Sequence, residues 1–266
     1  MLVASLPGIR RASGPVPVTA DVRQRIYAPC ETDLNPMRLI TWNCRVGGFR
    51  KKSARIAPYR PDVLAVQEVE PLNRVKVFAG DIQPTFRDRA HSEQYPSRSI
   101  GLFSYTHTNL KPVDYPDPAF SFRRFEASHD SRCFQVVAVW TYATKIRKNS
   151  YRQAHAGLTD NSEWIARVPT VVMGDFNANL SFRGDGMKTL LEITDALGLV
   201  SAYHNFFHED FGKETRPTHF HHGKEENPFH LDYCFLPKEW IPMIDRVEVG
   251  TYSEWGQISG GNFLFR

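Results

Sequence analysis

The segment VVMGDFNANL, residues 171–180, decides how this chain folds and where its polar chemistry collects. Three apolar residues lead into Gly174, and Asp175 and Asn177 follow two positions apart. An apolar run of this kind predicts a buried strand, and residues two apart in an extended chain point to the same side. We therefore predict a carboxylate and an amide that face one point at the end of a strand, with Phe176 turned into the packing.

Six further apolar runs are rich in Val, Ile, Phe and Tyr, which suit a pleated and buried surface. Together with the opening run, the predicted strands span residues 38–43, 62–68, 99–105, 133–142, 170–176, 231–236 and 245–250. Predicted helices lie at about 51–58, 70–80, 150–166 and 186–197, and the irregular segments are 114–130 and 204–230. Strands interspersed with helices predict an α/β or α+β sandwich.

Residues 1–36 differ from the rest of the chain because Gly, Pro and Arg occur there without a sustained period. We expect a flexible N-terminal extension over these residues and a folded domain over residues 37–266. Because Met37 opens the first predicted strand, a further hypothesis is that Met37 is the native start. The chain begins with apolar and then basic residues, the reverse of a signal peptide, which predicts no secretion.

The composition favours one large domain with a packed core, since 41% of the 266 residues are hydrophobic. The net charge of +4 permits a phosphate-bearing partner without requiring one. Cys30, Cys44, Cys133 and Cys234 lack the paired spacing of a zinc site, so we expect reduced thiols in a cytoplasmic protein. No apolar run approaches the roughly 18 residues that span a bilayer.

Polar residues stand at the ends of several predicted strands, where an apolar core would not hold them. Asn43 ends the first strand, Gln67 and Glu68 end the second, and Asp232 begins the sixth. Burying one of these groups alone costs several kcal/mol unless it is paired or binds a cation. Oxygen ligands of this kind suit Mg²⁺ or Mn²⁺. Each residue also has an ordinary alternative, as a turn cap, a solvated strand end or a local turn within GDFN.

The four strand ends, in this order and spacing, resemble the endonuclease/exonuclease/phosphatase superfamily. That superfamily includes DNase I, abasic-site endonucleases of the exonuclease III type and inositol polyphosphate 5-phosphatases. The matching segments are LITWN (39–43), LAVQE (64–68), VVMGDFNAN (171–179) and HLDYCFLP (230–237). The resemblance covers about residues 37–260. It implies a four-layer α/β/β/α sandwich with the active site at one rim.

The resemblance also implies a role for each of these residues. Glu68 would be the main ligand of Mg²⁺ or Mn²⁺, with Asn43 beside it. Asp175 would orient or deprotonate the attacking water, and Asn177 would hold the scissile phosphate. Asp232 would orient a catalytic histidine.

Tyr142 stands at a strand end where many superfamily members carry a histidine. Abasic-site endonucleases carry a tyrosine there, and its hydroxyl can donate a hydrogen bond to phosphate. The resemblance therefore places Tyr142 among the catalytic residues. Its plain alternative is an amphipathic aromatic residue that packs at the end of a strand.

The last motif departs from the superfamily, whose members close with Ser-Asp-His. Here Ser259 is followed by Gly260 and Gly261, which predicts impaired activity, because a general acid or base typically contributes about 10²–10⁴-fold. Three explanations stay open: an altered or truncated C-terminus, an inactive homologue that still binds, or a substitute histidine. The candidate substitutes, for which a solvated loop is the alternative, are His219, His221, His222 and His230.

Basic residues near the expected rim favour a nucleic-acid phosphodiester as the substrate. Residues 50–52 are Arg-Lys-Lys, and the segment 114–130 combines Arg123 and Arg124 with several phenylalanines. Such a loop can contact backbone phosphate and stack on a base. The alternative is a charged loop that packs its own aromatic residues.

The sequence therefore predicts a monomeric, metal-dependent phosphodiesterase that acts on DNA or RNA and does not bind membranes. Two alternatives stay open. One is a phosphomonoesterase that acts on a small molecule or a lipid headgroup through the same site. The other is a catalytically inactive homologue that binds nucleic acid or a metabolite, which the absent Asp-His motif favours.

Overall fold

Strands account for most of the regular structure in this computed structural model, which describes residues 1–6, 36–45, 48–70, 85–89, 99–115, 121–142 and 150–255. The strands are β1 (Leu2–Leu6), β2 (Met37–Asn43), β3 (Val63–Val69), β4 (Thr85–Arg89), β5 (Ser99–Ser104), β6 (Asn109–Val113), β7 (Phe122–His129), β8 (Arg132–Trp140), β9 (Thr170–Asp175), β10 (Leu199–Ser201), β11 (His219–Phe220), β12 (Pro228–Phe229), β13 (Asp232–Pro237) and β14 (Arg246–Val249). The α-helices are α1 (Phe49–Lys52), α2 (Ser150–Asp160), α3 (Ser162–Ile165), α4 (Gly186–Ala196), α5 (Ala202–Phe207) and α6 (Tyr252–Trp255). Short 3₁₀ segments lie at Ser53–Arg55, Ala57–Tyr59, His221–Gly223 and Lys238–Met243.

Two mixed sheets form the centre of the structure. The first has the strand order β14-β1-β2-β3-β5-β4, and the second has the order β10-β13-β9-β8-β7-β6. Each sheet contains one parallel pair, which is β2 with β3 in the first and β8 with β9 in the second. Because parallel strands end at the same edge, these pairs bring two strand ends together in each sheet.

Buried side chains form three apolar layers, one between the sheets and one on the outer face of each. The strand β3 shows how one segment serves two of them. Val63 and Ala65 pack between the sheets, whereas Leu64 and Val66 pack outward, as the two-residue period of a strand requires. Helices α2 and α4 cover the second sheet, and α1 and α6 cover the first. This α/β/β/α order confirms the predicted four-layer sandwich.

All seven predicted strands are present, with ends that differ by one or two residues. The helix predicted at 186–197 is α4, and the one at 150–166 is divided into α2 and α3 at Asn161. The segment 51–58 forms the end of α1 followed by 3₁₀ turns, in place of one helix. The helix predicted at 70–80 lies outside the described residues, apart from residue 70.

The prediction that residues 114–130 are irregular is wrong for Phe122–His129, which make up most of the residues that the structure describes in this segment. The strand β7 pairs with β8 from Phe122 opposite Val139 to His129 opposite Arg132. Proline and aspartate at the start of the segment suggested a loop, but buried Phe125 and Ala127 alternate with more exposed residues as in a strand. Residues 204–230 are likewise not wholly irregular, because α5 extends into them and β11 pairs with β12.

The expected flexible extension over residues 1–36 is wrong for its first six residues. The strand β1 lies inside the first sheet, paired with β2 on one side and β14 on the other. Leu2, Ala4 and Leu6 are buried between the two sheets. A chain that began at Met37 would lack the strand that separates β2 from β14. Residues 7–35 lie outside the described part of the chain, so the prediction is not tested there.

The described part of the chain contains no helix of the length and apolarity that crossing a bilayer requires. Cys44, Cys133 and Cys234 are free cysteines, and Cys44 and Cys234 are buried. Burial raises the pKa of the Cys234 thiol to about 12, so this thiol is held in its protonated form. Cys30 lies outside the described residues.

We expect Ala4→Asp to lower the melting temperature by about 5 °C or more, because it places a carboxylate among the apolar side chains between the sheets. The matched control is Ser5→Asp, because Ser5 is half-buried and lies opposite Arg38 and Arg246. The control should change the melting temperature by no more than about 2 °C. Thermal unfolding of the full chain measures both, and equal small effects would contradict the place of β1 in the sheet.

Candidate active site at the strand ends

The polar strand ends lie together at one rim of the sandwich. In the first sheet Asn43, at the end of β2, lies opposite Gln67 of β3. In the second sheet Asp175, at the end of β9, lies opposite Trp140 of β8 and opposite Asp232 of β13. Residues as far apart in the chain as Asn43 and Asp232 thus contribute to one edge of the fold.

The side-chain amide of Asn43 connects the two sheets at this rim. Its Nδ2 donates one hydrogen bond to Oε1 of Glu68, at 3.1 Å, and another to Oδ2 of Asp175, at 2.9 Å. All three side chains are buried, with no more than 5% of any residue exposed. The carboxylate of one sheet and the carboxylate of the other are therefore held against the same amide group.

The backbone of β3 is distorted at Glu68. Its φ of 59° lies in the left-handed region, which is unusual for a residue with a side chain. The pairing of β3 with β5 shifts register between Val66 and Val69, which is the mark of a bulge. Gln67, beside it, is fully buried and donates to Oγ1 of Thr41 at 3.1 Å. Strain of this kind is characteristic of functional sites, where it directs a side chain.

Asp175 and Asn177 form a tight turn that ends β9. The Asn177 backbone N–H donates to Oδ1 of Asp175 at 2.9 Å, and Asn177 has a φ of 46°. Because the backbone is no longer extended here, the expected alternation does not reach Asn177. Its Nδ2 instead donates to the carbonyl of Thr141 at 2.6 Å. The predicted inward orientation of Phe176 is confirmed, since its ring is buried against Tyr233 at 5.7 Å.

Gly174 allows β9 to approach β8 at the residue before the carboxylate. A Cβ at this position would lie 1.9 Å from the carbonyl oxygen of Val139, and Gly174 has a φ of 152°. The contact is with backbone, which cannot move aside as a flexible side chain can. The glycine of GDFN is thus needed for packing, and it positions Asp175 directly after it.

Asp232 is fully buried opposite Asp175, and its predicted role in orienting a histidine stays a prediction. The backbone N–H groups of Leu231 and Asp232 both donate to Oγ1 of Thr218, at 2.9 and 3.0 Å. Burial lowers the pKa of the Met1 α-amino group to about 6, and the nearby Asp232 carboxylate opposes that shift. Ser259, Gly260 and Gly261 lie outside the described residues, so the impaired activity expected from Gly260 and Gly261 stays a prediction.

The backbone next to Tyr142 lies at the same rim as the polar strand ends. The preceding residue, Thr141, donates its N–H to the carbonyl of Asp175 at 2.9 Å. The Tyr142 ring is mostly buried and packs on Trp140 with a centroid distance of 4.6 Å. Its N–H and carbonyl are both bonded to the side chain of Gln153. The structure therefore gives Tyr142 a packing role, and the catalytic role stays a prediction.

The four candidate histidines fall into two groups. His230 is buried beside Tyr203, with a ring distance of 4.3 Å, and its Nδ1 lies 3.0 Å from the carbonyl of Arg216. Burial lowers the pKa of His230 to about 4, so its imidazole is neutral near pH 7. The other three line a cleft of about 440 Å³ whose walls are Arg45, Asn177, Phe182, His219, His221, His222, Phe229 and Leu231.

The cleft was only partly visible from the sequence. The sequence offered His219, His221 and His222 as candidate catalytic histidines. Their neighbours in the chain gave no sign that they would line a cleft with Asn177. Arg45 also lines the cleft, and its position two residues after Asn43 was an available signal. Thr218 could not be found, because its contact with Asp232 joins residues fourteen apart through the β11–β12 hairpin.

The basic residues near the rim do not all have the expected exposure. Lys52 is engaged with the backbone after β2, since its Nζ donates to the carbonyls of Cys44, at 2.6 Å, and Arg45, at 3.2 Å. Arg50 and Lys51 are exposed. Of these three basic residues, Arg50 and Lys51 therefore present an exposed basic surface of the kind that contacts phosphate, and Lys52 does not.

The predicted base-stacking loop at Arg123 and Arg124 is wrong for its described aromatic residues. Phe122 and Phe125 are buried, with 1% and 0% of each exposed, because they belong to β7. Arg124 lies over the ring of Tyr115 at 4.2 Å and over that of Trp164 at 5.3 Å. Burial accordingly lowers the pKa of this guanidinium. The described phenylalanines of this segment therefore pack inside the fold, as the alternative expected, but they belong to a strand and not to a loop.

The donor set at the rim suits a hard divalent cation. Two carboxylates, those of Glu68 and Asp175, converge on one amide, and such oxygens are the usual protein ligands of Mg²⁺ and Mn²⁺. The oxygen of that amide, Oδ1 of Asn43, accepts a hydrogen bond from the N–H of Arg45 at 2.9 Å. Glu68 and Asp175 are thus the carboxylates that can hold a cation, and the ligand roles predicted for Glu68 and Asn43 stay a prediction.

Comparisons with known proteins identify the class. The profile of the Endonuclease/Exonuclease/phosphatase family matches residues 40–242. The chain therefore belongs to this family, whose members are phosphoesterases that typically use divalent metals. A search of curated protein sequences gave no match.

Solved structures agree on the fold. The endonuclease domain of TRAS1, a telomere-specific non-LTR retrotransposon, is 13% identical with a TM-score of 0.57, covering 85% of this chain and 96% of that one. D. rerio TDP2 humanized by 14 mutations is 14% identical with a TM-score of 0.52, covering 75% and 82%. An endonuclease/exonuclease/phosphatase from Bacteroides vulgatus is 16% identical with a TM-score of 0.51, covering 74% and 85%.

We expect Gly174→Ala to lower the melting temperature by more than about 5 °C, since the new Cβ would overlap the Val139 carbonyl. Gly184→Ala is the matched control, because Gly184 also has a positive φ, 92°, but no atom within 4 Å of the added Cβ. It should lower the melting temperature by only about 2–4 °C. Similar values for both variants in thermal unfolding would show that the close approach of β9 and β8 is not the cause.

Proposed function

We propose that this chain is a metal-dependent phosphoesterase that hydrolyses phosphodiester bonds of nucleic acid. The observation that carries the proposal is the Asn43 amide, which bridges the carboxylates of Glu68 and Asp175 at the rim. Two buried carboxylates held this close are costly in the absence of a compensating cation or hydrogen bond. Their convergence beside the cleft that Asn177 lines supports a catalytic use.

The side chains at the rim can divide the work of phosphodiester hydrolysis. Asp175 can orient a water molecule and accept its proton as the water attacks phosphorus. The amide nitrogen of Asn177 carries two hydrogens, of which one is bonded to Thr141, so the other can donate to a phosphoryl oxygen. Arg45, in the same cleft, can neutralise part of the phosphate charge. A bound divalent ion supplies Lewis-acid stabilisation of the charge that develops on the phosphoryl oxygens.

Two features support nucleic acid as the substrate. The cleft next to Asn177 combines one guanidinium with the rings of Phe182, Phe229 and three histidines, and aromatic rings can stack on bases. Exposed Arg50 and Lys51 follow β2 at the same rim. The net charge of the chain, +4, is compatible with a polyanionic substrate.

A second candidate function is binding without turnover. The observation that favours it is Gly260-Gly261, which replaces the Asp-His pair of the family's last motif. In such a homologue the rim would still hold a cation and a phosphate, while proton transfer to the leaving group would lack its usual donor. Measured binding of nucleic acid in the absence of cleavage would separate this function from the first.

We expect Glu68→Gln and Asp175→Asn each to lower Mg²⁺-dependent cleavage of labelled plasmid DNA and single-stranded RNA by about 100-fold or more. Each change keeps the size of the side chain and removes the charge that a cation needs. Asp185→Asn is the control, because the Asp185 side chain is 79% exposed and is paired with Lys188 on the surface. Cleavage that survives both rim variants would mean that the catalytic site lies elsewhere.

We expect the chain to hydrolyse bis(p-nitrophenyl) phosphate faster than p-nitrophenyl phosphate, since a diester resembles the proposed substrate. Release of p-nitrophenol with Mg²⁺ measures both rates under the same conditions. The reverse order would favour a phosphomonoesterase that acts on a small molecule or lipid headgroup. The rate of p-nitrophenol release by the Asp175→Asn variant gives the background rate for each substrate.

We expect the double variant Gly260→Asp, Gly261→His to cleave at least about 10-fold faster than the chain itself, because it supplies the absent acid and base. The same plasmid and RNA substrates measure the gain, and a Gly260→Ala, Gly261→Ala variant controls for altered backbone. Equal rates would show that the chain completes its site without the family's last motif, and the cleft histidines would become the next residues to vary.

A further inference from the structure

A second group of ligand-type side chains lies at the opposite end of the sandwich from the candidate active site. His107 lies between β5 and β6, and His129 and Asp130 lie at the turn between β7 and β8. The strand β7 runs from Phe122, beside Val139 at the catalytic end, to His129. Seven residues of strand separate the two ends by roughly 23 Å, so the two sites are distinct.

The three side chains bring potential ligand atoms close together. Nε2 of His107 lies 2.6 Å from Oδ1 of Asp130, and Nε2 of His129 lies 3.7 Å from Oδ2 of the same carboxylate. The two imidazoles are stacked, with a centroid distance of 4.8 Å. One ligand atom from each residue lies within 4.8 Å of the other two. In a tetrahedral site with zinc–ligand distances of about 2.0–2.1 Å, ligand atoms are about 3.3 Å apart, so only small shifts are needed.

The surroundings of His129 leave one of its nitrogens for a ligand. Its Nδ1 lies 2.7 Å from Oγ1 of Thr108 and 3.5 Å from Oδ1 of Asp62, and that carboxylate favours a proton on Nδ1. Oγ1 of Thr106 in turn donates to Asp62 at 2.6 Å. This carboxylate–imidazole arrangement is typical of the residues that orient a metal-binding histidine.

The other nitrogen, Nε2 of His129, is buried and has no hydrogen-bond partner among the described residues. Only 2% of His129 is exposed, so water does not readily satisfy this atom. This buried nitrogen lies 3.7 Å from Oδ2 of Asp130, and a metal ion held between the two atoms would satisfy it.

We propose that His107, His129 and Asp130 bind a divalent transition-metal ion of the zinc type. Two nitrogens and one oxygen suit zinc better than Mg²⁺, which prefers oxygen, and a water molecule would occupy the fourth position. Two carboxylates, those of Asp62 and Asp130, and one guanidinium, that of Arg132, lie near His129, so the formal charge of these neighbours is negative. The His107 side chain is 60% exposed, which gives the ion a path from solvent.

The place of the site indicates a structural role. His107 lies on the connection from β5 in the first sheet to β6 in the second, and His129 ends β7 of the second sheet. Asp62, which supports His129, directly precedes β3 of the first sheet. A bound ion would therefore tie the two sheets together at the end away from the rim where catalysis is proposed.

Calorimetric titration of the full chain with ZnCl₂ tests the proposal. Metal ions are first removed with a chelator, and excess Mg²⁺ is then added so that it occupies the candidate active site. We expect one zinc ion per chain, and a higher melting temperature with zinc than without it. His107→Ala should abolish zinc binding and the rise in melting temperature, or weaken zinc binding by more than about 100-fold. Loss of a residue that only orients a metal ligand costs roughly 10–100-fold in affinity. His107 is exposed, so this variant should fold like the parent.

Two control variants separate this site from others that bind zinc. Glu68→Gln alters the candidate active site, and His222→Ala removes a histidine of the cleft. Both should bind zinc as the parent does. The proposal is overturned if the parent chain binds no zinc, or if His107→Ala binds it as tightly as the parent.

Discussion

The amide of Asn43 is the contact on which the site of this protein depends. It holds Glu68 of the first sheet and Asp175 of the second within hydrogen-bonding distance of one nitrogen. Such a contact is possible only if the two sheets pack with their strand ends in line, and the apolar layer between them fixes that alignment. Because buried carboxylates are costly when isolated, the contact that joins the two sheets also stabilises the carboxylates of the proposed site.

The backbone around this contact is more constrained than elsewhere in the two strands. Glu68 has a left-handed conformation beside a bulge, and Gly174 passes so close to Val139 that a side chain would not fit. Both features lie within one residue of a carboxylate of the rim. The regular parts of the strands stabilise the fold, and the distorted ends determine where the side chains of the proposed site point.

The sequence predicted local patterns well and long-range partners poorly. All seven predicted strands are present because each carries its own run of apolar residues. The strand β1 was missed because its partners, β2 and β14, lie more than thirty and more than two hundred residues away. The strand β7 was missed because proline and aspartate earlier in the same segment suggested a loop, whereas its pairing with β8 keeps it extended.

The sequence by itself determined which residue types stand at the ends of the strands, and their order was enough to indicate the family. Only the tertiary structure decided which of these groups meet. It directed the amide of Asn177 to Thr141, buried His230 away from the cleft histidines, and brought His107 to His129 and Asp130. The physical reason is that the period of a strand is set by neighbouring residues, whereas the partner of a side chain depends on how distant strands align.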